Sequence, residues 1–132
     1  MRVAVRIEHN RLGEIARRLP GAVREVIGET LDDLETDVKT EMAGPKGGRI
    51  YGAHQASAPG EAPAVDTGNL IGSVQQTMVK PDQGMLYTNA EYAEYLEFGT
   101  TRMANRPFFV PAAEKERKVF VAKMTDLERR LA

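Results

Sequence analysis

The chain has no cysteine and no tryptophan, aromatic residues make up only 6% of it, and its net charge is close to zero. Without cysteine there are no disulfides and no thiolate chemistry, which fits a reducing cytoplasm. With so few aromatic rings the core must be mostly aliphatic. Lys and Arg number 18 against 19 Asp and Glu, a formal charge of −1, which argues against a dedicated nucleic-acid binder with its usual basic excess. No apolar run approaches the roughly 18 residues of a membrane span, so no membrane partner is expected. The opening MRVAVRIEHN is too polar for a secretory signal. At 132 residues, one domain over the whole chain is expected.

What is present is periodicity, broken once. Val3, Val5 and Ile7 alternate with Ala4 and Arg6, the period of a half-buried strand. Asn10 suits an N-cap. Leu12, Ile15, Ala16 and Leu19 follow at helical spacing, and Pro20 either ends that short helix or starts the next at a bend. From Gly21 to Met42, one stripe of Val23, Val26, Ile27, Leu31, Leu34, Val38 and Met42 predicts a long amphipathic helix. The periodicity then stops over about 43–64, which is rich in Gly, Pro, Ala and Ser. A flexible loop that orders against a partner is expected, with Lys46, Arg49 and His54 as candidate contacts to nucleic acid or a neighbouring subunit.

Order resumes at Asp66, an N-cap candidate ahead of Leu70, Ile71 and Val74, with Val65 and Leu70 spaced for a hydrophobic staple. The stretch 73–80 reads as a strand, Pro81 to Gly84 as a turn, and Met85 to Thr88 as the returning strand. Thr88 and Glu91 have capping-box spacing, with Asn89 as the alternative cap. Tyr92, Ala93, Tyr95, Leu96 and Phe98 are expected to form the buried side of a short helix. Gly99 is expected to end it with a positive φ. A turn at Pro107 to Val110 then leads into a helix from Pro111 carrying Phe120, Met124, Leu127 and Leu131. Pairs four apart, Glu114 with Lys118 and Asp126 with Arg130, support its outer side. The fold class is α+β, a small antiparallel sheet packed against two long amphipathic helices, with short helices and a long flexible loop.

Chemistry is sparse. Glu91, Glu94 and Glu97 share a face of one short helix, but three carboxylates spread over two turns cannot build the roughly six-oxygen cage of a hard cation. They are expected to be solvated or paired with Arg102 and Arg106. His9 and His54 have no carboxylate partner in sequence, and Ser57 and Ser73 lack a nucleophile-elbow context. No catalytic, metal or cofactor residue is assigned. A metal-dependent hydrolase and a DNA-contacting accessory protein are the rival readings.

Three motifs carry a resemblance. Pro63-Ala64-Val65-Asp66-Thr67-Gly68-Asn69-Leu70-Ile71-Gly72-Ser73-Val74 resembles the "P-x-DTGNL-x-x-S-I/V" signature of a tailed-phage family. That family is typified by the tenth gene product of phage HK97 and is akin to the minor tail or tail-completion protein Z of lambda-type phages. Asn89 to Thr100 (NAEYAEYLEFGT) is similar to its "YA-x-x-x-E-F/Y-GT" motif, and Arg106 to Ala112 (RPFFVPA) to its "P-F-L/F-x-P-A". The chain departs from the family where an Arg usually follows Leu70, here Ile71-Gly72, and in a longer loop before Pro63. The resemblance implies a non-enzymatic virion protein of the neck or upper tail. It would act in head–tail joining as a ring subunit, six-fold by expectation, around the DNA channel and against other neck and tail proteins. The motif residues Asp66, Thr67, Gly68, Asn69, Leu70, Tyr92, Glu97, Phe98, Gly99, Thr100, Pro107, Phe108, Phe109 and Pro111 are then structural or interface positions. Of Phe108 and Phe109, one is expected in the core and the other against a neighbouring subunit.

Overall fold

In a computed structural model the chain is described over residues 3–7, 12–44, 46–48, 50–51, 54–63 and 69–131. The expected caps at Asn10 and Asp66, the staple at Val65, and the candidates His9, Arg49, Thr67 and Gly68 lie outside these residues.

Three strands form the main antiparallel sheet in the order β1 (Val3–Ile7), β5 (Gln83–Thr88), β4 (Gln75–Lys80). The register sets Val3 opposite Thr88, Val5 opposite Leu86 and Ile7 opposite Gly84, with Gln76 and Met78 continuing the rows on β4. Because side chains alternate across a strand, these rows share one face, and the long helix α2 (Pro20–Ala43) packs on it. The other face carries Arg6, Gln75 and Thr77, all exposed, around a buried Met85. Gly84 marks the closest approach. A Cβ there would lie 2.7 Å from Leu31 Cδ1 and 2.8 Å from Ile27 Cγ2, so only glycine lets the helix sit this near the sheet.

The first helix, α1 (Leu12–Arg18), runs almost directly into α2. Leu19 donates its amide to the Ile15 carbonyl and accepts from the Val23 amide, so the break between the two helices falls at Leu19, just before Pro20, which opens α2 where its missing N–H costs nothing. The stripe along α2 is buried as expected at Val23, Ile27, Leu31, Leu34, Val38 and Met42. Thr30 joins it because its hydroxyl donates to the Val26 carbonyl at 2.8 Å. The closing helix α5 (Val110–Leu131) lies antiparallel to α2, as the ion pairs Lys115–Asp37 and Lys123–Glu29 require. Phe120, Met124 and Leu127 complete the core.

The hairpin turn is narrower than the sequence suggests. Gln83 and Gly84 belong to β5, leaving only Pro81 and Asp82 as the loop. A two-residue hairpin usually takes a primed turn with positive φ, yet no described non-glycine residue has one. Instead β4 carries an irregularity between Met78 and Lys80, which adds the twist that an unprimed turn lacks.

The stretch expected to be a structureless loop contains a short hairpin, β2 (Ile50–Tyr51) with β3 (His54–Gln55). The Glu61 carboxylate accepts from the amides of Gly47 and Ala58, and the Gly60 amide donates to the Asn105 carbonyl. Strands of two residues each are too short to leave a period in the sequence.

Candidate interaction surface

The geometry of the aromatic segment starts with how α5 begins. The amides of Phe108, Phe109 and Val110 point out of its first turn and need acceptors. Position 109, whose carbonyl takes the first helical bond from Ala113, is a phenylalanine and cannot cap with its side chain. Glu97 supplies the acceptor from another helix. Its Oε1 accepts from Phe108 N at 3.1 Å and Phe109 N at 2.7 Å, and its Oε2 from Val110 N at 3.2 Å. The side chain is only 2% exposed. A negative charge at a helix N-terminus also meets the positive end of the helix dipole.

Glu97 lies on α4 (Ala93–Phe98), and its burial sets the rotation of that helix. Ala93 and Glu97, one turn apart, face inward, with Leu96 half-buried. The opposite side is therefore turned out: Tyr92 is 46%, Tyr95 55% and Phe98 66% exposed. This reverses the sequence expectation for these three aromatics and for Glu97. Glu91 is exposed and Glu94 half-buried, so the three glutamates do not converge. Neither Arg102 nor Arg106 pairs with them; the Arg106 guanidinium instead donates to the carbonyls of Ser57 and Ala104. A signal was present in the sequence. A helix opening on PFFVP has no capping side chain of its own, so a remote acceptor had to exist, and the nearby glutamates were the candidates.

Gly99 ends α4 with φ 76° and ψ 177°, donating its amide to the Tyr95 carbonyl at 2.8 Å. The positive φ agrees with the sequence expectation, but this ψ lies in a region open essentially to glycine alone, outside the left-handed helical well. A Cβ would sit 3.0 Å from both Asn105 N and Met103 O. A tight reversal follows, in which the amides and carbonyls of Thr100 and Met103 pair with each other and the Thr100 hydroxyl accepts from the Arg102 amide. The Arg106 amide donates to the Leu96 carbonyl and brings the chain back beside α4. Thr88 does not form the expected capping box. Its Oγ1 accepts from the Ala90 amide and shares a 2.6 Å hydrogen bond with Ser73, which in turn donates to the Leu70 carbonyl above α3 (Asn69–Gly72).

Phe108 and Phe109 are both buried, at 2% and 1% exposed, with ring centroids 4.9 Å apart and planes tilted by 54°. The expected division between core and neighbour does not occur. Bending at the start of the helix, fixed by Glu97, lets adjacent residues reach one core. Leu70 is also buried, Pro107 is half-buried and Pro111 exposed. Lys46 donates to the Glu41 carbonyl at the end of α2, and His54 is half-buried on β3. Among the described residues no group of three His, Asp or Glu is placed to hold a metal ion, and no helix is long and apolar enough to cross a membrane.

Among the described residues the outward side of α4 groups three exposed aromatic side chains. Phe98 and Val110 also border a groove of about 450 Å³ that reaches β1 at Val3, Ala4 and Val5. No protein-family model matches the sequence, and neither curated proteins nor solved structures yield a match.

Proposed function

We propose that the chain is a structural protein of a tailed-phage or prophage virion, a ring subunit at the head–tail junction or upper tail. It is made in the host cytoplasm and assembled with other neck and tail proteins. The observation that carries this reading is the motif NAEYAEYLEFGT. In sequence it resembles the phage family, and in the fold it offers three aromatic side chains outward on a helix anchored from behind by Glu97. Rigid aromatic groups lose little entropy on docking and make effective interface anchors. A head-to-tail contact between such a surface and a different face of the next copy closes into a ring when its rotation permits. Six copies are the expected number. A near-neutral chain suits a channel through which DNA passes without being held. The work assigned to the protein is placement of neighbours, with no bond made or broken.

Electron microscopy of particles from a phage deleted for this gene tests the proposal. Separate heads and tails are the expected result, and normal joined particles would overturn it. The two rival readings have less support. Lys46 and Arg106 are engaged by backbone carbonyls, and Glu97, one of the three glutamates a metal-dependent hydrolase would need, is buried against amides.

A further inference from the structure

One stripe of α5 is exposed and chemically self-complementary. Val110, Glu114, Arg117 and Val121 are separated by four, three and four residues. At 100° per residue they fall within an arc of about 60°. Both valines are 42% exposed and both charged residues are exposed. Among the described residues neither Glu114 nor Arg117 makes an ion pair or hydrogen bond; the expected Glu114–Lys118 pair does not form, whereas Asp126–Arg130 does. Hollows border the stripe on both sides, the groove toward Phe98 and β1 and a shallower one that includes Lys118 and Ala122, and both are lined by Glu114 and Arg117.

We infer that this stripe is a two-fold interface with a second copy of the chain, α5 lying antiparallel to its counterpart. An axis midway between Glu114 and Arg117 sets Glu114 against the other copy's Arg117, and Arg117 against its Glu114. The same axis sets each Val110 against a Val121. Two-fold contacts require a surface that complements itself, and the order apolar, acidic, basic, apolar at symmetric spacing meets that requirement. A parallel arrangement would oppose like charges. The charged pair sets register, and the valines supply the apolar contact that helices packed about 8–10 Å apart need. The inference does not rest on the virion reading. Tyr92 and Tyr95 lie outside the stripe and remain open to other partners.

Sedimentation equilibrium of the full chain over roughly 5–500 µM tests it. A monomer–dimer equilibrium within that range is expected. Glu114→Arg and Arg117→Glu, each opposing like charges twice, should weaken it by at least about tenfold, and the double reversal should restore it. Val121→Lys gives a second disruption at an exposed site, and circular dichroism shows whether each variant is folded. Because the chain has no cysteine, Val110→Cys and Val121→Cys report geometry directly. A mixture of the two should form 110–121 disulfides well in excess of 110–110 or 121–121. A monomer throughout the range, a dimer indifferent to the charge reversals, a predominance of like-with-like disulfides, or a larger ring unaffected by any of these changes would overturn the inference. None of those results would bear on head–tail joining in the deletion phage.

Discussion

Glu97 shows how a single carboxylate can decide which side of a helix faces water. Three amides depend on it, so Glu97→Ala leaves buried donors without acceptors and should destabilise the fold by about 3–5 kcal/mol in urea unfolding. Glu97→Gln keeps one oxygen acceptor and should cost less. Gly99 makes a different demand. Asparagine tolerates the left-handed helical well, but here ψ is 177°, so Gly99→Asn should be no better than Gly99→Ala. Both should lose about 1–3 kcal/mol to backbone strain, read as a fall in melting temperature. Glu116 is a third case. It is 7% exposed on α5, and its carboxyl is raised from 4.5 to about 7 by its hydrogen bond to Asp37, by burial, and by the charges of Asp37 and Asp33, against a lowering by Lys115. Arg6 and Arg117 line the same cavity. Between those two values the folded chain holds a proton that the unfolded chain has released. Stability from this group is therefore full below 4.5, falls as pH rises through the window, and levels off above about 7. Glu116→Gln should flatten that slope and exceed the parent's stability at pH 8 by up to about 3 kcal/mol, with little gain near pH 4.

At the scale of elements, the sheet–helix contact is the tightest in the fold. Gly84→Ala pushes a methyl group into Leu31 and Ile27, both within 2% of full burial. Overpacking of this kind should cost about 1–3 kcal/mol, and adding Leu31→Val to the Gly84→Ala variant should recover part of it. The elements with long unbroken periods were legible in the sequence: β1 by alternation, α2 and α5 by their stripes, Gly99 by its place after the last helical residue. Illegibility had specific causes. On α4 the aromatic residues face out, because the acceptor needed by α5 had to face in, and only the small Ala93 and part of Leu96 turn inward with it. Thr30 looked polar but satisfies its own hydroxyl against Val26. The turn at Pro81 read as four residues by composition, whereas pairing extends to Lys80 and Gln83.

At the scale of the whole molecule, the buried side chains join sheet, α2 and α5 in one core, and the exposed aromatics of α4 contribute nothing to it. Tyr95→Ser and Phe98→Ser should therefore change monomer stability by no more than about 0.5 kcal/mol. The same two substitutions should abolish incorporation into particles if α4 is the contact with a neighbour. Equal losses of both properties would show that these side chains serve the monomer itself. The candidate surface was only half visible in the sequence. The motif marked the segment, but its outward side followed from a hydrogen-bond requirement at the start of the next helix, which no pattern within the motif encodes.

The Glu97 contact ties the presented aromatic helix to the first turn of the long C-terminal element. The amide protons of Phe108, Phe109 and Val110 are thus locked by a side chain that must leave before they can meet solvent. In deuterated buffer they should exchange at rates matching those of the α5 interior rather than those of a fraying end. On this arrangement α4 cannot detach by itself, so the exposed aromatic face and the helical core melt together.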